Sequence, residues 1–146
     1  MPTYFTHAEA ERLMTLVRTL IEQLQNLYHD QIAAEGEVNN ISRNIMLSGG
    51  MIPPRQRLAD LKLQHERLIE QAEALLDQIR GFGCEVKDLE RGLVDFPTLY
   101  KGQMVYLCWM LGEERIAYWH TPQDGFRGRR PIDDDFLANH RGELQQ

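Results

Sequence analysis

Gly92-Leu-Val-Asp-Phe-Pro97 opens the stretch that decides the fold, which continues through Leu107-Cys-Trp109 and Trp119-His120 to Gly125-Phe-Arg-Gly-Arg-Arg-Pro131. The stretch holds both tryptophans, one of the two cysteines and several glycines. Short apolar runs with a period of two, separated by glycine, are typical of β-strands joined by turns. We therefore predict a small antiparallel sheet here, carried by the preceding part of the chain.

Residues 84–120 are predicted to form this sheet. We expect four strands, Cys84–Asp88, Gly92–Phe96, Met104–Met110 and Arg115–His120. Pro97 is expected to end the second strand because proline has no N–H to donate to a neighbouring strand. A turn is predicted at Lys101-Gly102, between the second and third strands.

A last hairpin centred on Glu113 determines which residues share a face of the sheet. The predicted pairs are Trp109 with Ala117, Cys108 with Tyr118 and Leu107 with Trp119. One face then carries Tyr106, Cys108, Tyr118 and His120, and the other carries Val105, Leu107, Trp109 and Trp119. We expect the second, more apolar face to pack on helices and the first to look toward solvent or a shallow site.

The first half of the chain is predicted to be a long antiparallel helical hairpin, formed by residues 6–48 and 54–82. Thr6 and Glu9 make a capping box at its start. Apolar residues then recur every three or four positions in both segments, which is typical of a coiled-coil seam. The glycines and prolines between the segments predict a turn.

Two features of this hairpin bear on its surroundings. Gln31 and His65 are polar members of the seam, which we interpret as residues that set the register. Further apolar residues widen the stripe beyond a two-helix seam: Ile21, Tyr28, Ile69 and Leu76. We expect the sheet or a second copy of the chain to cover them.

The fold class is therefore α+β, with the antiparallel sheet packed near the open end of the helical hairpin. We treat residues 1–146 as a single domain, because the length suits one core and is short for two. Residues 121–146 are predicted to be a loop and a C-terminal tail. Within them, Asp133–Asn139 is expected to form a short helix with an acidic cap.

Composition limits the possible partners. The net charge of −6 opposes binding to nucleic acid, and the basic group from Arg127 to Arg130 is followed at once by acidic residues. There is no long apolar run, so no membrane association is expected. The two cysteines have no CxxC spacing and no secretory leader precedes them, so we expect reduced thiols and a cytoplasmic location.

Five groups are candidates for chemistry: Asp95, Cys108, Glu113, His120 and Arg129. Cys108 and His120 share a predicted face, within reach of one zinc ion. The further ligands would have to be Asp95, Asp88 or Glu113, which lie on other strands and turns. Because no two ligands have a tight local spacing, we favour a buried Cys108 and a hydrogen-bonded His120, and predict no metal site.

The loop at Gly125–Pro131 has a structural and a functional interpretation. We favour the structural one, in which Arg129 pairs with Asp95 or Glu113 and pins the loop to the sheet. In the functional one, the loop offers backbone N–H and guanidinium groups to a carboxylate or phosphate beside His120. The ligand-binding residues would then be Asp95, Glu113, His120, Arg127 and Arg129.

At these residues the chain resembles the domain-of-unknown-function 2203 family, a group of small prokaryotic proteins. The matching pieces are Phe5-Thr6-x-x-Glu9-Ala10, Val86-Lys-Asp88, Gly92-Leu-Val-Asp-Phe-Pro97, Leu107-Cys-Trp109, Gly112-Glu113, Trp119-His120 and Gly125-Phe-x-Gly-Arg-x-Pro131. The chain departs from the family pattern at Glu11, Thr15 and Gln103. The family has no assigned activity, so the resemblance supports the fold and implies no function.

Two hypotheses on function follow. We favour a non-enzymatic interaction or scaffold protein that forms a homodimer through its helices, with a protein partner as a further possibility. The alternative is a small-molecule, anion or metal-binding protein, whose site lies where the Trp119-His120 strand end meets the Arg127–Arg130 loop. The sequence indicates no catalytic residue and no particular cofactor.

Overall fold

A computed structural model describes residues 3–49 and 54–143, which form an α+β structure. The chain divides into two compact units. Met1–Glu22 and Asp77–Gln146 make up the first, which we call the sheet unit. Gln23–Leu76 makes up the second, the hairpin unit.

Two long helices run through the first half of the chain, α1 at His7–Leu47 and α2 at Arg55–Gly81. The predicted capping box starts α1: Thr6 Oγ1 accepts from the Glu9 N–H at 3.1 Å, and Glu9 Oε1 accepts from the Thr6 N–H at 3.0 Å. Of the predicted turn between the helices, residues 50–53 lie outside the described residues.

Within the hairpin unit the two helices are antiparallel, as predicted. Glu37 of α1 pairs with Arg57 near the start of α2, and Glu35 pairs with His65, two turns further along α2. Gln31 also lies 3.5 Å from the His65 Nε2, so the two polar seam residues do meet.

Within the described residues the sheet is antiparallel and has six strands, in the spatial order β1-β2-β3-β4-β5 with β6 paired to β2. The strands are β1 Glu85–Asp88, β2 Leu93–Tyr100, β3 Gln103–Met110, β4 Tyr118–His120, β5 Arg130–Pro131 and β6 His140–Arg141. The predicted register of the last hairpin is confirmed, since Cys108 lies opposite Tyr118 and Leu107 opposite Trp119.

The prediction that Pro97 ends a strand is wrong, because β2 continues to Tyr100. Pro97 is paired with Tyr106 on β3, and its carbonyl accepts a hydrogen bond from the Phe5 N–H at 2.8 Å. In an antiparallel strand the N–H and C=O of one residue point to the same side. The side of Pro97 without an N–H therefore faces Phe5 rather than β3, so no hydrogen bond to β3 is lost.

The last predicted strand is shorter than expected and begins at Tyr118 instead of Arg115. Side chains of α1 use the backbone of Ile116 instead: its N–H donates to Glu11 at 3.2 Å, and its carbonyl lies 2.7 Å from the His7 ring. Residues 125–132 are also not wholly a loop, because a 3₁₀ turn at Phe126–Gly128 leads into β5. The predicted short helix is confirmed as α3, Asp134–Asn139, capped by the Asp133 side chain.

The apolar face of the sheet packs on the start of α1, as predicted. Phe5, just before α1, contacts Phe96 edge to face, and the Arg18 guanidinium lies 5.8 Å from the Trp109 ring centroid. Ile21 is fully buried beside Gly92. Gly92 has a positive φ of 69°, and a Cβ at this position would lie only 2.5 Å from the Leu111 Cβ, so both conditions favour glycine. Tyr28, in the hairpin unit, stays exposed.

Candidate functional site: a buried Asp-Cys-His cluster

Three neighbouring strands bring Asp95, Cys108 and His120 together on the mixed face of the sheet, which carries Tyr106, Cys108, Tyr118 and His120. Asp95 on β2 lies directly opposite Cys108 on β3, and His120 on β4 lies opposite Tyr106, two residues before Cys108. One ligand atom from each of the three side chains lies within 4.8 Å of the other two. We call these three residues the buried cluster.

The part of the mixed face that holds the cluster is buried, which corrects the expectation that Cys108 and His120 look toward solvent or a shallow site. Cys108 is fully buried, Asp95 is 1% exposed and His120 is 4% exposed. Charged groups at this depth are rarely tolerated unless they are paired or bind a metal ion. The burial therefore needs an electrostatic explanation.

The ring of His120 is held by two acceptors. Its Nδ1 lies 2.8 Å from the Thr121 carbonyl oxygen, which can only accept, so Nδ1 carries a hydrogen. Its Nε2 lies 3.0 Å from Asp95 Oδ2. A neutral imidazole with hydrogen on Nδ1 would turn the lone pair of Nε2 toward the lone pairs of the carboxylate, so a proton or a cation must lie between Nε2 and Asp95 Oδ2.

The pKa of His120 reflects this arrangement. Burial lowers it, but the hydrogen bonds with Asp95 and the Thr121 carbonyl and the negative charge of Asp95 outweigh burial and the positive charge of Lys87. The net direction is upward from the usual value for histidine. In the absence of a metal ion the cluster thus favours an imidazolium–carboxylate pair.

Asp95 has more bonding capacity than the described structure uses. Its Oδ2 faces His120, while its Oδ1 is buried without a hydrogen-bond partner among the described residues. An unsatisfied buried carboxylate oxygen costs free energy, typically about 1–3 kcal/mol or more for a charged group. Such an orphan oxygen beside a histidine and a cysteine is the arrangement a metal ion would satisfy.

Cys108 is the third member, and it is a thiol in the metal-free protein. Burial raises its pKa to about 12, and the negative charge of Asp95 adds to the effect. A thiol with this pKa is a poor nucleophile at neutral pH. A coordinated metal ion, however, deprotonates a cysteine outright, so the raised pKa does not prevent metal binding.

Arg129 and Glu113 form a second, adjacent pair. Both oxygens of Glu113 accept from Arg129 Nη2, at 2.7 and 2.9 Å, and the same nitrogen donates to the Cys108 carbonyl at 3.2 Å. The guanidinium also lies between the rings of Tyr118 and Phe126, at 4.1 and 4.9 Å. This pair pins the loop to the sheet, which is the structural interpretation favoured from the sequence.

The five residues predicted to bind a ligand are thus divided by the structure. Asp95 and His120 meet in the buried cluster, and Glu113 and Arg129 meet in the adjacent pair. Arg127 belongs to neither, because it is exposed in the 3₁₀ turn.

Cys108, which the sequence predicts to be a buried residue rather than a metal ligand, completes the cluster. The sequence held a signal for its position beside Asp95. Lys101 and Gly102 both have positive φ, 51° and 80°, as a two-residue hairpin turn requires. Counting outward from that turn places Asp95 opposite Cys108. The predicted end of the strand at Pro97 interrupts this count, so the pairing does not follow from the predicted strands.

Comparison with known proteins gives a family and no activity. Residues 3–132 match the model of an uncharacterised conserved protein family, DUF2203. The chain belongs to this family. No curated protein and no solved structure matches the chain. All three cluster residues of this DUF2203 chain lie in the motifs that carry the resemblance. None of its described helices is long and apolar enough to cross a membrane.

Proposed function

We propose that this protein binds a divalent transition-metal ion, of the zinc class, in the buried cluster. The observation that carries the proposal is the convergence of three buried ligand groups, each with an atom within 4.8 Å of the others. Cysteine sulfur, imidazole nitrogen and carboxylate oxygen together suit zinc and its neighbours better than magnesium or calcium, which prefer oxygen alone.

The dimensions of the buried cluster support a single ion. Bonds of about 2.0–2.3 Å to zinc place the ligand atoms of one tetrahedral ion roughly 3.3–3.6 Å apart. The 3.0 Å between His120 and Asp95 is close to that spacing, and the 4.8 Å limit leaves only small side-chain movements to complete it. The bond from His120 Nδ1 to a backbone carbonyl is the support that metal-bound histidines commonly have.

Three protein ligands leave one position of a tetrahedral ion open. Structural zinc sites usually have four protein ligands, whereas sites that bind an exchangeable molecule have three. The buried cluster therefore fits an ion with one exchangeable ligand. A purely structural alternative is a buried ion pair of His120 and Asp95 that needs no metal, with Cys108 as a small apolar neighbour.

Metal titration distinguishes the two. Stripped protein should bind one equivalent of Zn²⁺ or Co²⁺, and Co²⁺ should give visible bands together with a thiolate-to-cobalt charge-transfer band. Zn²⁺ at a hundredfold excess over its dissociation constant should raise the free energy of unfolding by about 2.7 kcal/mol. Cys108→Ser should abolish the charge-transfer band and weaken binding.

Cys84→Ser is the matched control. Cys84 is the other buried cysteine, its Sγ donates to the Ile79 carbonyl at 3.4 Å, and it lies outside the buried cluster. A serine hydroxyl can make the same bond, so this variant should keep the cobalt spectrum. The ion-pair alternative is supported instead if stripped wild-type protein binds no metal, or if both variants bind it equally well.

A second candidate function is self-association through the hairpin unit. Large apolar side chains are exposed along its helices: Tyr28, Ile32, Met46, Leu47 and Leu63. A groove of about 430 Å³ between the helices is lined by the apolar residues Ala34, Val38, Leu58 and Leu61, together with polar and charged residues. A homodimer, or a complex with a protein partner, would cover such a surface.

Sedimentation over a range of protein concentrations tests this candidate. The wild-type protein should sediment as a dimer, and Ile32→Glu with Met46→Glu should give a monomer with unchanged helicity. A wild-type monomer at high concentration would contradict it.

The expectation of a cytoplasmic location is supported by Cys84 and Cys108, which are unpaired, as thiols in a reducing compartment are.

A further inference from the structure

A polar cleft of about 510 Å³ lies in the sheet unit beside the buried cluster. Its lining includes Tyr4, Arg80, Glu85, Lys87, Met104 and Tyr106. Tyr106 is the wall that the cleft shares with the cluster, because its ring lies 5.4 Å from the ring of His120. A molecule in the cleft would therefore contact a side chain that itself packs against the cluster.

Lys87 lies against this wall, at an irregularity in β1. The pairing of β1 with β2 shifts between Val86 and Asp88, so Lys87 occupies a β-bulge. Its ammonium group lies 4.9 Å from the Tyr106 ring centroid and 3.6 Å from Glu85. Because the Lys87 side chain is 40% exposed, its ammonium group can leave both contacts and pair with another group.

The charged residues that line the cleft favour an anion. They are two cations, Lys87 and Arg80, and one acid, Glu85. Both cations have exposed acidic partners, Glu85 and Asp77, which an incoming anion can replace. A divalent ion held by the Asp95 carboxylate and the Cys108 thiolate leaves the loaded cluster neutral. An oxyanion entering the cleft would therefore meet a lining with more cations than acids, and no net negative charge at the ion.

We propose that the cleft admits a small oxyanion, a carboxylate or a phosphate, which takes the open position on the metal ion of the buried cluster and pairs with Lys87. The inference rests on the metal site proposed above. Tyr106 swings away from His120 to admit the oxyanion, and Lys87 exchanges Glu85 for the incoming charge. Lys87 is then a binding residue for the oxyanion and takes no part in holding the metal.

Spectroscopy of the Co²⁺-loaded protein tests this, with acetate and inorganic phosphate as probes. An oxyanion that binds the ion should change the visible cobalt bands saturably, and competition should show that both probes use one position. Lys87→Met keeps the length and packing of the side chain but removes a charge-assisted contact, so it should raise the half-saturating probe concentration about tenfold or more.

Lys101→Met is the matched control. Lys101 also lies against a tyrosine of the sheet, 5.1 Å from the Tyr100 ring, and is absent from the lining of the cleft. It should leave the titrations unchanged, and both variants should bind Co²⁺ as tightly as the wild type.

The outcomes separate this inference from the metal site. Absence of cobalt bands in the wild type means that the metal proposal itself has failed. Bands that appear but do not respond to acetate or phosphate overturn the oxyanion inference and leave the metal site standing. The inference is also overturned if Lys87→Met and Lys101→Met titrate alike, or if a probe binds by calorimetry without altering the bands.

Discussion

Each unit of the chain contains a histidine that faces a carboxylate, at nearly the same distance. His120 lies 3.0 Å from Asp95 in the sheet unit, and His65 lies 3.1 Å from Glu35 in the hairpin unit. The first pair is 4% and 1% exposed, the second 32% and 54%. Water and salt screen the charges of the second pair. Each charge of the first pair is shielded from water and is stabilised mainly by its partner. Burial therefore decides which pair has consequences for stability and binding.

The same difference runs through both units. Among described residues 23–49 and 54–76, the buried ones are Leu24, Ala34, Leu61 and Leu68, all apolar. The sheet unit also buries polar and charged side chains: Thr6, Asp95, Thr98 and His120. Polar groups inside a core restrict its structure and carry binding potential. This contrast favours a chemical site in the sheet unit and partner contacts in the hairpin unit.

The largest expected effect concerns thiol reactivity. Burial raises the pKa of Cys84 from 9.0 to about 12, so the thiolate population at a given pH falls about a thousandfold. Iodoacetamide should therefore alkylate Cys84 about a thousand times more slowly than a cysteine placed on the hairpin unit by Ala33→Cys, a position that is exposed. Mass spectrometry of tryptic peptides gives both rates in one sample.

Alkylation of Cys84 at a rate close to that of the introduced cysteine would show that the sheet unit opens readily. The contrast in burial between the units would then not hold in solution.

The next effect concerns the two histidines in metal-free protein. His120→Ala leaves the Asp95 carboxylate buried and unpaired, which should cost about 3–5 kcal/mol of stability. His65→Ala removes an exposed pair and should cost about 1 kcal/mol or less. Urea unfolding followed by circular dichroism measures both.

Asp95→Asn combined with His120→Ala removes the unpaired charge and should recover part of the loss. Equal losses for His120→Ala and His65→Ala would mean that the Asp95 side chain does not depend on His120 as its partner.

The sequence predicted contacts between residues that are close along the chain better than contacts between distant segments. Alternating residues and the turn at Glu113 correctly placed Cys108 opposite Tyr118, because a hairpin register is a local property. The capping box of Thr6 and Glu9 was predicted for the same reason.

Contacts between distant segments were not predictable in this way. The shortening of β4 results from Glu11 and His7 binding the backbone of Ile116, more than a hundred residues along the chain. The β-bulge at Lys87 is also not indicated by any residue of β1. The alternation pattern likewise identified the mixed face but could not show that it is buried.

A smaller effect is expected for the buried arginine pair. Arg129 and Glu113 are 12% and 21% exposed, and Arg129 lies between two aromatic rings. A double-mutant cycle of Arg129→Met and Glu113→Gln should give a coupling of about 2 kcal/mol, as expected for hydrogen bonds to charged groups with little solvent. A coupling near zero would mean that the loop is held by its aromatic contacts.

The smallest effect is expected for the matched pair of the hairpin unit. Arg57 and Glu37 are 52% and 41% exposed, so a cycle of Arg57→Met and Glu37→Gln should give a coupling of about 0.5 kcal/mol that weakens with salt. This coupling energy is expected for a hairpin whose surface is exposed to solvent. If a second copy covers the hairpin, the pair is desolvated and the coupling should rise toward that of Arg129 and Glu113. Repeating the cycle at low and high protein concentration separates the two cases. A small coupling that stays constant argues against a dimer that buries this surface. A coupling that grows with concentration argues for such a dimer.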